Sequence, residues 1–412
     1  MTKKPLIEKK YLLAFILVTS MFFSWGLANN MTDTLLAAFK KIMSMSDFQT
    51  TFIQNAFYGA YFCFALPAAF FLKRYSYKAG ILVGLAMFIT GGLLFYPASQ
   101  TMVYGHFLIA LYILAGGLSF LETSANPYIV RLGDEETGPR RLNFAQSFNP
   151  LGSIMGIGLS GIFILPNLYE ADAAERATMA ASQLEMIQQE ELSAVMNAYV
   201  GVAIVLIIIW ILIYLTSMPH SQEKNTKLEF KAFGRLFRNK NYIAAVGAQF
   251  LYVGVQIGVW SFTIRYVMGE LGVNETGANK YYLASLICFL LGRFACTWLM
   301  GYIAPTRLLY ILALMAAGLT LIVVFGSGMT GVISLILISA CLSLMFPTIY
   351  ALGIRNLDED TKLGGAGLVM AIIGGAVLTN IQGLVSDSTN SIHLAYLVPF
   401  MALLFIALDG YK

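Results

Sequence analysis

The sequence predicts an all-α membrane protein of twelve transmembrane helices in two six-helix bundles, and three observations predict it. About twelve stretches are apolar over the roughly 20 residues needed to cross a bilayer. Hydrophobic residues make up 58% of the 412 and charged residues only 12%, and with a mean hydropathy of +0.72 there is too little polar surface to cover a soluble globule of this length. Finally, the segment Arg131-Leu-Gly-Asp134-Glu135-Glu136-Thr137 recurs 224 positions on as Arg355-Asn-Leu-Asp358-Glu359-Asp360-Thr361, after the fourth and the tenth stretch. An internal repeat at that period divides the chain six plus six.

The first half places its crossings at about 11 to 38, 47 to 72, 77 to 98, 103 to 131, 139 to 165 and 193 to 217. The second half places them at about 239 to 268, 277 to 303, 306 to 326, 329 to 354, 363 to 386 and 391 to 408. Lys3, Lys4, Lys9 and Lys10 before an apolar run imitate a signal peptide, but the run from Tyr11 to Ala28 is longer than an ordinary signal core. It ends in Asn29, Asn30 and Asp33 without a small-residue cleavage site, so it reads as an uncleaved first helix. With the N-terminus in the cytoplasm, about 20 basic residues fall on that side and about 5 on the other. This bias sets topology and makes both termini cytoplasmic.

Two polar connections differ in character. Residues 166–192, with Glu170, Asp172, Glu185, Glu190 and Glu191, read as an outside loop with helical content. Residues 218–238, with Lys224, Lys227, Lys231, Arg235 and Arg238, read as a cytoplasmic linker. The expected organisation is thus a bundle over 1–217, a linker over 218–238 and a second bundle over 239–412. Parallel six-helix repeats that rock about a midplane site are the architecture of the major facilitator superfamily.

Polar residues inside crossings carry the functional argument, because an ionised side chain facing lipid costs roughly 2.5–3.5 kcal/mol on insertion scales. Asp33, Glu122, Asn126, Asn143, Gln146 and Asn149 lie in the first, fourth and fifth crossings, where they imply a polar cavity and a solute path. Glu122 and Asn126 are four apart and share a helix face; Asn143, Gln146 and Asn149 form a second row at spacing three. Amides suit sugar hydroxyls because both partners donate and accept, and amides also hydrogen-bond between membrane helices. A carboxyl shielded from water favours its neutral form, so an acid at such depth can take and release a proton as a cavity opens and closes. Glu122 is the stronger candidate; Asp33 either shares that role or caps a helix end near Asn29, Asn30 and Thr32.

The 224-position shift takes Glu122 to Phe346, Asn126 to Tyr350, Gln146 to Met370 and Asn149 to Ile373. The cavity is therefore expected to be lopsided, with carboxylates and amides on one wall and apolar and aromatic groups on the other, a combination that suits a sugar. Phe289 and Phe346 are the aromatic candidates, with Trp25, Tyr58, Tyr252 and Trp260 behind them.

Other motifs are declined. Gly156-Ile-Gly158-Leu-Ser-Gly161 fits a dinucleotide fingerprint but follows no strand, and Gly152 with Gly156 reads better as close helix packing. Asn30-Met-Thr32 and Asn274-Glu-Thr276 match a glycosylation pattern too short to carry weight. The cysteines Cys63, Cys288, Cys296 and Cys341 show no paired spacing, and His106, His220 and His393 fit no metal set. No phosphate-binding loop or nucleophile motif occurs. The basic residues are dispersed among loops, which excludes nucleic acid as a partner.

Several segments resemble the fucose:proton symporter family of the major facilitator superfamily: Ala28-Asn-Asn-Met-Thr-Asp33, Lys73-Arg-Tyr-Ser-Tyr-Lys-Ala-Gly80, Phe120-Leu-Glu-Thr-Ser-Ala-Asn-Pro127, Arg141-Leu-Asn-Phe-Ala-Gln-Ser-Phe-Asn149, Gly292-Arg-Phe-Ala-Cys-Thr-Trp298 and Phe346-Pro-Thr-Ile. The resemblance implies a bacterial inner-membrane carrier that imports L-fucose or a related monosaccharide with protons. It needs no cofactor beyond the coupling proton, no enzyme chemistry and no obligatory protein partner; lipid and sugar are its partners. It assigns the functional carboxylates to Asp33 and Glu122, the sugar-site amides to Asn30 and Asn149 with Gln146 beside the latter, and the cavity aromatics to Phe289 and Phe346. Asn126 and Asn143 join the expected sugar site from the helix-face argument alone. Two departures stand out: the family's fucose carriers have Tyr where Phe346 precedes Pro347, and the loop from Lys73 to Lys78 lacks the Asp-Arg pair of the wider superfamily. The alternatives are a glucose/galactose or other hexose carrier, coupled to protons or sodium, and a membrane sugar sensor that does not transport.

Overall fold

The computed structural model describes residues 5–42, 47–101, 103–169, 175, 176, 178–219 and 231–411; the side chains of residues 29, 32–42, 47–52, 54, 55, 165, 181, 194, 195, 197–199 and 409–411 lie outside the description. Asp33 is among these, so its helix is placed and its carboxylate is not. No strand occurs among the described residues.

Four long helices open the chain: α1 Leu12–Ile42, α2 Asp47–Arg74, α3 Tyr77–Thr101 and α4 Tyr104–Arg131. The fifth crossing is split into α5 Gly138–Gln146 and α6 Phe148–Phe163, and α7 Ala181–Leu215 closes the first half. A short α8 Lys231–Arg238 leads into α9 Lys240–Leu271, α10 Glu275–Leu299 and α11 Pro305–Phe325. The tenth crossing is α12 Gly328–Leu342 with α13 Met345–Gly353, the eleventh α14 Thr361–Met370 with α15 Gly374–Thr389, and the last α16 Ile392–Ala395 with α17 Leu397–Tyr411. Among the described residues nine helical spans are long and apolar enough to cross a bilayer alone; Val200–Leu215 and Ile392–Leu408 are shorter apolar spans. With the divided fifth crossing they make the expected twelve.

Four crossings expected as single helices are thus broken, and one of the breaks repeats between the halves. α5 ends at Gln146 and α14 at Met370, 224 positions on, so the fifth and eleventh crossings bend at one depth. The expected loop over 166–192 is shorter than anticipated, because α7 begins at Ala181 and carries Glu185, Glu190 and Glu191 in its first turns. Arg176 explains why acids are tolerated there: its guanidinium makes a bidentate pair with buried Glu191 at 2.9 and 2.5 Å, and Glu191 also accepts the Tyr169 amide. Removing one member of such a pair strands the other charge, at a cost of about 3–5 kcal/mol. Arg176→Ala is therefore expected to lower the thermal unfolding midpoint clearly below that of wild type, measured in detergent.

Helix ends follow local chemistry. Asn274 caps α10 by accepting the Gly277 amide at 2.9 Å, a sufficient explanation for the Asn274-Glu-Thr276 pattern. Gly272 takes φ +62° to close α9. Buried Arg141 donates to the Ile129 and Val130 carbonyls at the C-terminus of α4, where unpaired carbonyls and the helix dipole favour a cation.

The repeated loops match in structure. Each forms a 3-10 turn, Glu135–Thr137 and Asp358–Asp360, and each threonine hydroxyl donates to the aspartate carbonyl three residues back, at 3.0 Å for Thr137 and 2.9 Å for Thr361. The two copies meet at the end of the bundle that bears the termini, where Arg131 reaches the Asp358 carbonyl at 2.6 Å and the Thr361 hydroxyl at 2.5 Å. Lys362 donates to the Leu72 carbonyl at 2.7 Å and Arg140 to that of Thr297 at 3.2 Å. These cross-half bonds close the terminal end.

Candidate functional site

A cavity of about 610 Å³ lies between the halves and runs from mid-helix toward the end opposite the termini, past Ile53, Ile264 and Tyr282. Of the expected sugar-site residues it is lined by Asn30, Glu122, Gln146, Asn149, Phe289 and Phe346.

Close backbone approach builds the first wall. A Cβ on Gly152 would sit 1.9 Å from the Phe23 carbonyl oxygen, on Gly26 2.0 Å from that of Asn149, and on Gly156 2.5 Å from that of Leu27. α1 and α6 therefore touch along their backbones, which leaves Asn149 to donate to the Phe22 carbonyl at 3.4 Å and brings Asn30 onto the same wall. Gly374 of α15 meets the Phe250 carbonyl of α9 in the same manner at 2.0 Å, the counterpart in the second half.

Glu122 is buried on α4 and closes a chain of amides. Gln146 donates to the Asn126 side-chain oxygen at 2.8 Å, and Asn126 in turn donates to Glu122 through a short hydrogen bond to Oε2. Gln146 and Glu122 face the cavity, whereas Asn126 stands behind them, off its lining. The expectation that Asn126 lines the cavity is thus corrected: its helix face is right, but Gln146 occupies the space in front of it. Asn143 is corrected for a different reason. It lies toward the terminal end, fully buried, where it donates to Thr348 of the other half at 3.0 Å and to the Pro139 carbonyl at 2.9 Å. In this conformation it joins the halves rather than facing the cavity.

The second wall carries the expected aromatics. Trp260 packs edge-on against Phe289 with centroids 5.1 Å apart and is fixed by its indole N–H to the Ser339 hydroxyl at 3.2 Å. Phe346 stacks near Tyr350 at 6.4 Å and tilts against Tyr252 at 6.2 Å. This wall is less apolar than the repeat comparison suggests, since Gln256, Ser261, Tyr282 and Arg293 also line it.

Arg293 is the residue that sequence reasoning missed. Its buried guanidinium lies 4.6 Å from the Phe289 ring centroid and donates to the Ser343 carbonyl at 2.5 Å and the Gln146 carbonyl at 3.1 Å. Those carbonyls lie at the α12–α13 and α5–α6 breaks, where helical bonding is interrupted. One cation thus completes two broken helices, links the halves and shares the cavity with Glu122. The signal was available: an arginine in mid-crossing is as costly as an acid and equally suggestive of function. Lysine keeps the charge but lacks the planar fork. Arg293→Lys is expected to reduce transport at least about fivefold, the effect of losing one buried hydrogen bond worth about 1–3 kcal/mol, as measured by initial uptake rates at matched protein amounts.

Comparison with known proteins bears on this geometry. The family model of the Major Facilitator Superfamily matches residues 13–381. The chain belongs to the major facilitator superfamily. Within the superfamily it is 40% identical to the L-fucose-proton symporter of Escherichia coli, over 97% of this chain and 93% of that protein. It is 39% identical to the L-fucose-proton symporter of Haemophilus influenzae, over 98% and 97%. Identity to a glucose/galactose transporter of Brucella abortus is 34%, over 98% and 94%. A crystal structure of the superfamily transporter FucP in the outward conformation superposes with a TM-score of 0.92, at 38% identity, covering 98% of this chain and 99% of that one.

Proposed function

We propose that this superfamily member is a proton-coupled carrier, not an enzyme, and imports L-fucose or a closely related monosaccharide by alternating access. The observation that carries the reading is Glu122, a buried acid held by an amide chain at the inner limit of a cavity closed at the terminal end. Full-length similarity to L-fucose-proton symporters supports it.

In the proposed cycle the proton is the coupling ion. Protonated Glu122, Gln146, Asn149 and Asn30 hold sugar hydroxyls, while Phe289 and Phe346 cover its apolar face. Rocking of the halves, 1–217 and 239–412 joined by 218–238, then parts the terminal-end contacts and exposes sugar and proton to the other side. Asp33 completes the proton path. In this reading both termini lie in the cytoplasm, as the charge bias directs, and the protein sits in a bacterial inner membrane, as its likeness to the L-fucose-proton symporters suggests. Asn126 and Asn143 act in this scheme through Glu122 and through closure, respectively.

The test is uptake of radiolabelled L-fucose into proteoliposomes under an imposed inward proton gradient. Accumulation that collapses with the gradient supports the proposal; absence of fucose uptake under any gradient removes fucose as cargo. A second reading, glucose/galactose transport, draws support from Phe346, which presents no hydroxyl to the cavity. Competition by D-glucose and D-galactose against L-fucose separates the two.

A further inference from the structure

The linker helix α8 has three distinct flanks. Ala232 and Leu236, four residues apart, are buried against the second half, with a Leu236 methyl 3.6 Å from where Gly364 would carry a Cβ. At 100° per residue Phe233 and Phe237 share a second flank, and Lys231, Arg235 and Arg238 a third. Phe237 is 74% exposed. Arg235 is engaged by Asp360 through two bonds, at 2.7 and 2.8 Å, but Lys231, Arg238 and neighbouring Lys240 are exposed and have no ionic partner among the described residues. One residue separates α8 from α9, whose Ile243 is 41% exposed on a membrane-crossing helix. A projecting phenylalanine beside exposed cations at the start of a crossing is what a helix lying in the headgroup layer presents to lipid.

We propose that α8 is a binding element for anionic phospholipid headgroups: Lys231, Arg238 and Lys240 engage the phosphates, and Phe237 enters the acyl boundary. Charge complementarity selects anionic over zwitterionic lipid, because each cation near a negative leaflet adds attraction. Arg235 links the element to the repeated loop through Asp360, two residues beyond the Asp358 carbonyl that receives Arg131. Lipid held at α8 therefore steadies the loop that helps close the terminal end.

The test titrates the full-length protein in detergent with phosphatidylglycerol or phosphatidylcholine and follows the thermal unfolding midpoint. Wild type is expected to gain more from phosphatidylglycerol than from phosphatidylcholine. Replacing Lys231, Arg238 and Lys240 together by Gln is expected to raise the half-maximal phosphatidylglycerol concentration about tenfold or more; Phe237→Ser, which alters no charge, is expected to weaken the response of both lipids. A control removing exposed Arg74, Arg307 and Arg355 at the same end is expected to keep the wild-type response. Equal shifts by the two lipids, an undiminished response in the triple variant, or an equal loss in the control would each overturn the proposal.

Discussion

Proteoliposomes containing Glu122→Gln will exchange labelled for unlabelled L-fucose but will not concentrate it under an inward proton gradient, with accumulation reduced at least about tenfold. Glutamine is nearly isosteric with the protonated acid and keeps an oxygen for the Asn126 amide. The Gln146–Asn126 chain therefore remains paired and the sugar wall intact. What disappears is a group able to release a proton. Exchange needs binding and rocking alone, whereas accumulation needs proton movement linked to sugar movement, so only the second should fail. Undiminished accumulation in Glu122→Gln would exclude Glu122 as the coupling acid and leave Asp33 to be tested by Asp33→Asn.

The other large effect is structural. Gly152→Ala places a methyl group 1.9 Å from the Phe23 carbonyl oxygen and 2.9 Å from the Leu27 amide nitrogen, both backbone atoms that cannot turn aside. α1 and α6 must separate, and overpacking of this kind costs about 1–3 kcal/mol even where side chains can adjust. The separation also pulls Asn149 from the Phe22 carbonyl, so transport should fall together with stability. Gly158, on the same helix, has open space where a Cβ would go, and Gly158→Ala is expected to leave both properties near wild type. Comparing unfolding midpoints of the two variants isolates the contact; equal midpoints would mean that the helices are not in backbone contact.

Much of this arrangement was legible in the sequence because membrane and cavity impose different rules on the same helices. Apolar length placed the crossings, the Arg131 and Arg355 segments divided them, and polar residues at helical spacing marked Glu122, Gln146 and Asn149 as cavity-facing. Spacing could not tell cavity from contact, which is why Asn143 was expected beside sugar and lies against Thr348. Nor does it reveal helix breaks; the one after Gln146 is marked instead by Pro150, four residues on, which has no N–H to return to the Gln146 carbonyl. Arg293, which donates to that carbonyl, stands alone in the middle of its crossing and belongs to no row of acids and amides at helical spacing.

The backbone weld between α1 and α6 has a consequence for descent. Asn30 and Asn149 ride on a frame in which extra side-chain volume at Gly26, Gly152 or Gly156 is barred by main-chain atoms, so variation on that wall comes at the expense of the fold. Across the cavity Gln256, Tyr282 and Phe346 project from half-buried positions and can be exchanged without disturbing that weld. A lineage that keeps the first wall while trading residues on the second is expected to reshape the cavity lining without loosening the contact between α1 and α6.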